Sequence, residues 1–493
     1  MTKGALAAPP IYDDVGYLWD AYRRIAFANV GSLFALIKNF VADPPHAPIQ
    51  TFTAIIGFSV FGPNNYGPYI ANIWALAACA GFVFIVARSQ LAAKPSLCLT
   101  TIVMFIPVTG ALVNDFRPDM AAALVFAFAG YLLISQPIST FRIRYRILLG
   151  IFIAFAVFMK PTAVVVTVPM IGLAGILSIV SDGRARIRNE LPPVVFVATA
   201  ALIALAPLAY VWGKHTFEYV YAALITDKDI WNTQGGWYDY LIFNATGAAG
   251  TIALGVFFKI GFAAIGLDVI VSLHRGGLRS LDRSLAFYFW CLVIFLGVAM
   301  ATGKSLQQSS FFFFPFIFAS ILAVSRLLRQ TEPTLAAVFL ALTVVFVPPA
   351  NSYQDSQKRL ETMQMLPQIT NLIAAKAKSV PACNGAMHGY GVIGAYPLTG
   401  EAVALDVAQK FRTQIAIYQL FILRDFDDLM RHVDASNFVL APNQAGLQES
   451  LAQRLPGTAF YRQIIDKLRA DPKWSEHRID AADPATLFVR EKC

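Results

Sequence analysis

Long apolar runs alternate with short polar loops through the first 350 residues, and this rhythm predicts helices that cross a membrane. Ten stretches carry it: 68–87, 97–113, 120–135, 147–159, 161–180, 194–212, 246–273, 285–301, 309–325 and 334–350. A bilayer core needs roughly 17–25 helical residues, so 147–159 is short unless Tyr145 and Lys160 snorkel at its ends. The stretch 246–273 contains Lys259 and Asp268, which interrupt its apolar pattern. A further run, 49–62, is too short to span and reads as an interfacial helix. From Asn351 the long runs stop. A polar helical stretch (355–379), helical spacing over 410–432 and 445–455, and strand-like runs at 437–441 and 486–490 predict a small α/β domain. The expected architecture is an all-α polytopic membrane bundle with a C-terminal extracytoplasmic α/β domain. Its expected parts are an arm (1–67), the transmembrane helices (68–350) and the soluble domain (351–493).

Composition agrees with this reading. Charged residues make up 14% of the chain, against about 25% in soluble domains. Charge placement then sets an orientation. The alternate loops 88–96, 136–146, 181–193, 274–284 and 326–333 hold 13 Lys/Arg against four acids. The arm and the opposite loops within residues 1–350 hold nine Lys/Arg and ten acids. The positive-inside rule therefore puts the arm and the C-terminus outside the cytoplasm, with a bacterial inner membrane as the expected site. Counting 49–62 as a span would export every Arg-rich loop. Residues 351–493 carry 16 Lys/Arg and 15 Asp/Glu, so the net charge of +9 sits almost wholly in the membrane half. Nothing resembles the basic face of a nucleic-acid binder.

Candidate chemistry gathers on the exported side. Tyr12-Asp13-Asp14 places two carboxylates in the arm, and acids near lipid are rare without a function. Asp14 also suits the N-cap of a helix over Val15–Ala28. The turn Pro44-Pro45-His46-Ala47-Pro48 follows, with Asp43 before it. Arg117 and Asp119 open the third span, Lys160 stands between spans, and Lys304 lies in a late exported loop. Each of these charges also fits a helix end anchored at the interface. Trp231, Trp237, Tyr238 and Tyr240 read first as an interfacial aromatic belt, and Phe311 to Phe314 as lipid-facing or core bulk. His388, His432 and His477 are scattered without metal-ligand spacing. Cys79, Cys98 and Cys291 read as packing residues; Cys383 and Cys493 share the exported domain, where a disulfide can persist. The chain begins without a signal peptide or an apolar helix, so export of its arm leads to the expectation of an upstream helix.

Taken in order, these pieces resemble the GT-C glycosyltransferases that use polyprenyl-phosphate sugars. The protein O-mannosyltransferases and the lipid A aminoarabinose transferases belong to that group. The matching residues are Asp13-Asp14-Val15-Gly16-Tyr17, His46-Ala47-Pro48-Ile49, Val60-Phe61-Gly62, Arg117-Pro118-Asp119-Met120, Lys160-Pro161 and the loop with Lys304. The resemblance implies a GT-C-like bundle and an enzyme that transfers a sugar from a polyprenyl-phosphate carrier to a hydroxyl acceptor. It implies Asp13 or Asp14 as the base and Arg117, Lys160 and Lys304 around the departing phosphate. It also implies Asp43, His46 and Asp119 near the sugar or acceptor, and inversion at the anomeric carbon. A divalent metal assists some members and not others, and no ligand motif here decides the matter.

The chain departs from the family pattern in two places. Many relatives carry a helix before the first acid. In the aminoarabinose transferases a Glu precedes the basic residue of the turn, where this chain has Pro45. Two other classes share the polytopic pattern. A lipid or glycan transporter would place matched charges at mid-membrane in two halves, and no internal repeat is evident here. A membrane scaffold would use residues 351–493 to bind a partner and would leave Asp13 and Asp14 dispensable.

Overall fold

The computed structural model describes residues 13–27, 31–181, 183–226, 254, 256–276, 282–300, 306–329, 356–383, 387–393, 398–442, 455–480 and 484–493. The chain divides into two compact units. One comprises Met1–Asn39, Thr51–Ala71 and Tyr353–Cys493; the other comprises Phe40–Gln50 and Asn72–Ser352.

The first helices in chain order are α1 (Asp13–Ala26), α2 (Leu33–Ala42), α3 (Pro48–Phe61) and α4 (Tyr66–Ala71). The apolar bundle follows as α5 (Ile73–Arg88), α6 (Ala93–Met104), α7 (Pro107–Asn114), α8 (Pro118–Ser135), α9 (Ile143–Phe158), α10 (Val164–Val180), α11 (Arg184–Tyr221), α12 (Val256–Gly276), α13 (Arg283–Met300) and α14 (Leu306–Leu328). Among the described residues seven helices are long and apolar enough to cross a membrane. They become eight if α6 and α7, bent by 75° at their junction, count as one span. The expected stretch 147–159 lies in α9, whose 16 residues reach about 24 Å at 1.5 Å per residue. The expected span 334–350 lies outside the described residues. The protein is a multi-pass membrane protein.

Within the bundle α8 is the central helix. Almost every residue from Pro118 to Ile134 is buried, on all faces, as a helix surrounded by other helices must be. It packs against α14, α10, α9 and α13. Phe82 of α5 stacks on Phe128 at 3.9 Å between centroids. Phe311 to Phe314 are buried core residues rather than a lipid-facing surface. Prolines inside α10, α11 and α14 (Pro169, Pro207 and Pro315 among them) are tolerated because neighbouring helices satisfy the freed backbone groups.

The other unit contains a mixed sheet. Its described strands are β1 (His388–Val392), β2 (Ile415–Gln419), β3 (Phe438–Pro442), β4 (Trp474–Ile479) and β5 (Ala485–Arg490). They lie in the order β2-β1-β3-β5-β4. β1 runs parallel to β2 and β3, with Tyr390 opposite Phe438, and β5 runs antiparallel to both β3 and β4. Helices α15 (Ser356–Lys376), α16 (Gly400–Phe411), α17 (Phe426–Asp434) and α18 (Tyr461–Ala470) accompany it. Leu429, Val433, Ile464 and Leu468 from α17 and α18 form one core with Val439 and Phe488 of the sheet. The expected strands at 437–441 and 486–490 are β3 and β5, and the expected helix at 355–379 is α15.

The expected helix over 410–432 is corrected. Arg412 takes a left-handed conformation at φ 53° and ends α16. The chain then enters β2 and a short 3₁₀ turn, Leu420–Ile422, and an α-helix resumes only after Asp425, whose side chain accepts the Asp428 N–H. Most of 445–455 lies outside the described residues. Cys383 and Cys493 form a disulfide with Cα atoms 5.2 Å apart, which ties the segment after α15 to Cys493. Helix α1 packs on α16, and Asn65 accepts from Gln409 at 2.9 Å. The helices of the arm and the sheet thus belong to the same compact unit.

Candidate active site

Asp13 opens α1, and its side chain lies outside the described residues. Asp14 follows in the first turn, so the expected N-cap role is corrected: the helix already starts one residue earlier. A carboxylate in the first turn still favours the helix dipole. Asp14 is 4% exposed and accepts the Tyr69 hydroxyl of α4 at 2.8 Å. A buried charge of this kind needs such donors.

One and two turns further on, α1 carries a network that sequence reasoning missed. Asp20 accepts from Arg23 at 2.7 Å, from Arg24 at 3.0 Å and from the Thr51 hydroxyl of α3 at 3.0 Å. Arg24 is 1% exposed and also donates to Asn39. The i,i+3 and i,i+4 spacing of Asp20, Arg23 and Arg24 was the available signal. Burial pushes the Tyr22 phenol above its ordinary value, and the Arg412 guanidinium pulls it partly back. Gly62 ends α3 at φ +80°, with its N–H on the Phe58 carbonyl at 3.0 Å. The glycine of the Val60-Phe61-Gly62 motif is therefore a helix stop, where any side chain would be strained.

In the bundle unit, the other candidates lie on the turns that begin spans. Arg117 precedes Pro118, the first residue of α8, and its guanidinium stands 3.6 Å from Asp115. Asp119 sits in the first turn of α8, buried, and forms an ion pair with Lys160 across 41 residues of sequence. Lys160 itself leads into a short 3₁₀ turn, Pro161–Ala163. The structure therefore brings Asp119 and Lys160 together and gives both named cations a carboxylate partner. Lys304 lies outside the described residues, as do Trp231, Trp237, Tyr238 and Tyr240.

Asp43 and His46 occupy the exposed turn between α2 and α3. Long helix α11 holds that turn in place: Trp212 donates its indole N–H to the Pro45 carbonyl at 2.9 Å. The His46 ring lies 4.7 Å from that of Tyr219. Neither aromatic was legible as a partner, because more than 160 residues separate them from the turn. Another missed pair, Gln50 and Asn72, is fully buried, with Asn72 bonding the Leu112 carbonyl at 2.5 Å at the break between α4 and α5.

The histidines of the sheet unit have local partners: His388 with the Val380 carbonyl, His432 with Asp428 and His477 with Ser475. Among the described residues no group of three or more His, Cys, Asp or Glu could hold a metal ion.

Residues 45–212 match the family model of dolichyl-phosphate-mannose-protein mannosyltransferases. That segment contains Asp115, Arg117, Asp119, Lys160 and the His46 turn. No curated protein sequence matches the chain. The fold is similar to that of ArnT from Cupriavidus metallidurans in the apo state, with TM-score 0.56 and 13% identity over 98% of this chain and 95% of that one. The same ArnT bound to undecaprenyl phosphate gives TM-score 0.55, at the same identity and coverage. A looser likeness is to the oligosaccharyltransferase of Archaeoglobus fulgidus in complex with zinc and sulfate, at TM-score 0.49 and 11% identity over 99% of this chain and 70% of that one. The chain thus shares the GT-C fold of ArnT, and residues 45–212 share the pattern of the mannosyltransferase family model.

Proposed function

We propose that this chain is a glycosyltransferase that moves a sugar from a polyprenyl-phosphate carrier to a hydroxyl acceptor on the extracytoplasmic face of a bacterial inner membrane. The observation that carries the proposal is the charged start of α8. There Arg117 and the Asp119–Lys160 pair gather at one helix start, inside the segment that matches the mannosyltransferase model. The undecaprenyl phosphate bound by a fold relative supports the same donor class.

The step is a direct displacement. Asp13 takes the proton from the acceptor hydroxyl as that oxygen attacks the anomeric carbon. The bond from that carbon to the phosphate oxygen breaks, and its electron pair leaves with polyprenyl phosphate. One displacement inverts the anomeric configuration. Asp14, held by Tyr69, fixes the first turn that presents Asp13. Arg117, Lys160 and Lys304 balance charge on the departing phosphate, while Asp43, His46 and Asp119 border the sugar or acceptor.

The test uses the full chain in proteoliposomes, supplied with labelled polyprenyl-phosphate sugars and an envelope extract as acceptor. Acceptor-dependent release of polyprenyl phosphate is the expected result. Asp13→Asn removes the base and lowers the rate by about 10²–10⁴-fold, with expression and insertion unchanged. Full activity in Asp13→Asn and Asp14→Asn, singly and together, would sink the assignment of the base. Failure of the wild type to consume any lipid-linked sugar would sink the donor class.

A further inference from the structure

The other end of the bundle holds a cavity that the transfer reaction does not use. Helix α8 starts at the Asp119–Lys160 pair and finishes 18 residues later, about 27 Å away. Its last turns and those of α5, with the turn leading into α9, line an open cavity of about 480 Å³. Ligand pockets run from about 300 to 1,000 Å³.

The lining has two characters, ordered along the helices. Phe84, Ile85, Leu132 and Phe141 make an apolar wall. One turn nearer the helix ends, Arg88, Ser89 and Gln136 make a polar rim, and the buried Tyr131 hydroxyl engages Ser89 and Gln136. Among the described residues no carboxylate lines the cavity. The Arg88 guanidinium donates to the Leu91 carbonyl, which leaves further N–H groups for a ligand. Exposed Arg142 directly follows Phe141 and adds positive charge to the same turn.

A cationic rim at the helix ends over an apolar wall toward the bilayer interior matches one kind of occupant. A soluble anion would leave the wall in water. A zwitterionic lipid would bring its own cation to the arginines. We infer that this cavity binds an anionic phospholipid of the leaflet at this end of the bundle. Its phosphate sits at Arg88, with the Gln136 amide as a further donor, and an acyl chain lies against Phe84, Ile85, Leu132 and Phe141.

Native mass spectrometry of the purified full chain, titrated with phosphatidylglycerol, phosphatidylcholine or inorganic phosphate, tests the site. The wild type should retain one phosphatidylglycerol in preference to phosphatidylcholine. Arg88→Gln, at an exposed position that tolerates change, should weaken phosphatidylglycerol by about tenfold, the loss of a hydrogen bond to a charged group. Ile85→Trp, at a half-exposed position, should fill the cavity and weaken both lipids. Equal retention of phosphatidylglycerol by the wild type and Arg88→Gln would overturn the inference. So would displacement of the lipid by inorganic phosphate, which would mark a soluble-anion site.

Discussion

Asp119 and Lys160 show how much a residue's role depends on its partner. In the sequence each was a lone charge at the end of a span: Lys160 fitted phosphate binding or an interfacial anchor, and Asp119 the sugar or acceptor vicinity or the same kind of anchor. Their pairing was not legible, because 41 residues, most of α8 and all of α9 among them, separate the two and no local pattern encodes the contact. Removing one member of a mostly buried pair strands the other and costs about 3–5 kcal/mol, whereas replacing both by apolar groups is often neutral. Lys160→Met should therefore lower the melting temperature clearly, and Lys160→Met with Asp119→Leu should restore most of it. If Lys160 holds the donor phosphate, transfer stays impaired in the double variant although stability returns. Recovery of both would make the pair structural. Asp14 and Tyr69 make the same point in the other unit: the acid was legible, its phenol donor was not. Tyr69→Phe deletes one hydrogen bond to a buried carboxylate, and a loss of about 1.5–3 kcal/mol in stability is expected. An unchanged denaturation midpoint would show that Asp14 does not depend on Tyr69.

Elements were easier to read than contacts where length alone decides. An apolar run long enough to cross a bilayer has few alternatives, so α8, α10, α13 and α14 appear close to their expected places. The sheet unit was harder. Runs such as Phe438–Pro442, buried from Phe438 to Ala441, are short and almost wholly apolar, and announced themselves. The edge strand β2 is half-exposed along most of its length, and its residues also fit a helical spacing, so its segment was read as helix. What length cannot tell is how tightly two helices approach. Gly130 of α8 faces Trp290 of α13, and a Cβ built there would lie 2.2 Å from the indole ring. The indole is pinned by its own N–H on the Met170 carbonyl at 2.7 Å, so it has little room to yield. Gly130→Val should overpack this contact and cost about 1–3 kcal/mol. Gly266→Val in α12, where nothing lies within 4 Å of the added Cβ, is the control and should be nearly neutral. Equal melting temperatures for the two variants would mean that the α8–α13 contact relaxes freely.

At the scale of the whole molecule, the proposed chemistry stands on an orientation. The Arg-rich loops begin or end the helices on one side: Arg88 closes α5, Arg142 precedes α9, and Arg283 opens α13. Glu190 and Arg283 lie 3.7 Å apart there, and Arg326 bridges Asp268 and Asp282. Asp13, His46, Arg117 and Lys160 stand before or between spans of the opposite parity. If ten spans separate the arm from the sheet, both share one side, which the positive-inside rule assigns to the exterior. Lys473 is an exposed residue at the turn before β4, and Lys473→Cys offers a reporter with little structural cost. In a Cys98→Ser background, with Cys383 and Cys493 held in their disulfide, that thiol should react with a membrane-impermeant maleimide in intact spheroplasts. A cysteine at Arg144, exposed on α9 at the Arg-rich side, should react only after lysis. The reverse pattern would put the sheet and the start of α8 in the cytoplasm. Transfer on the extracytoplasmic face by Asp13, Arg117 and Lys160 would then be ruled out.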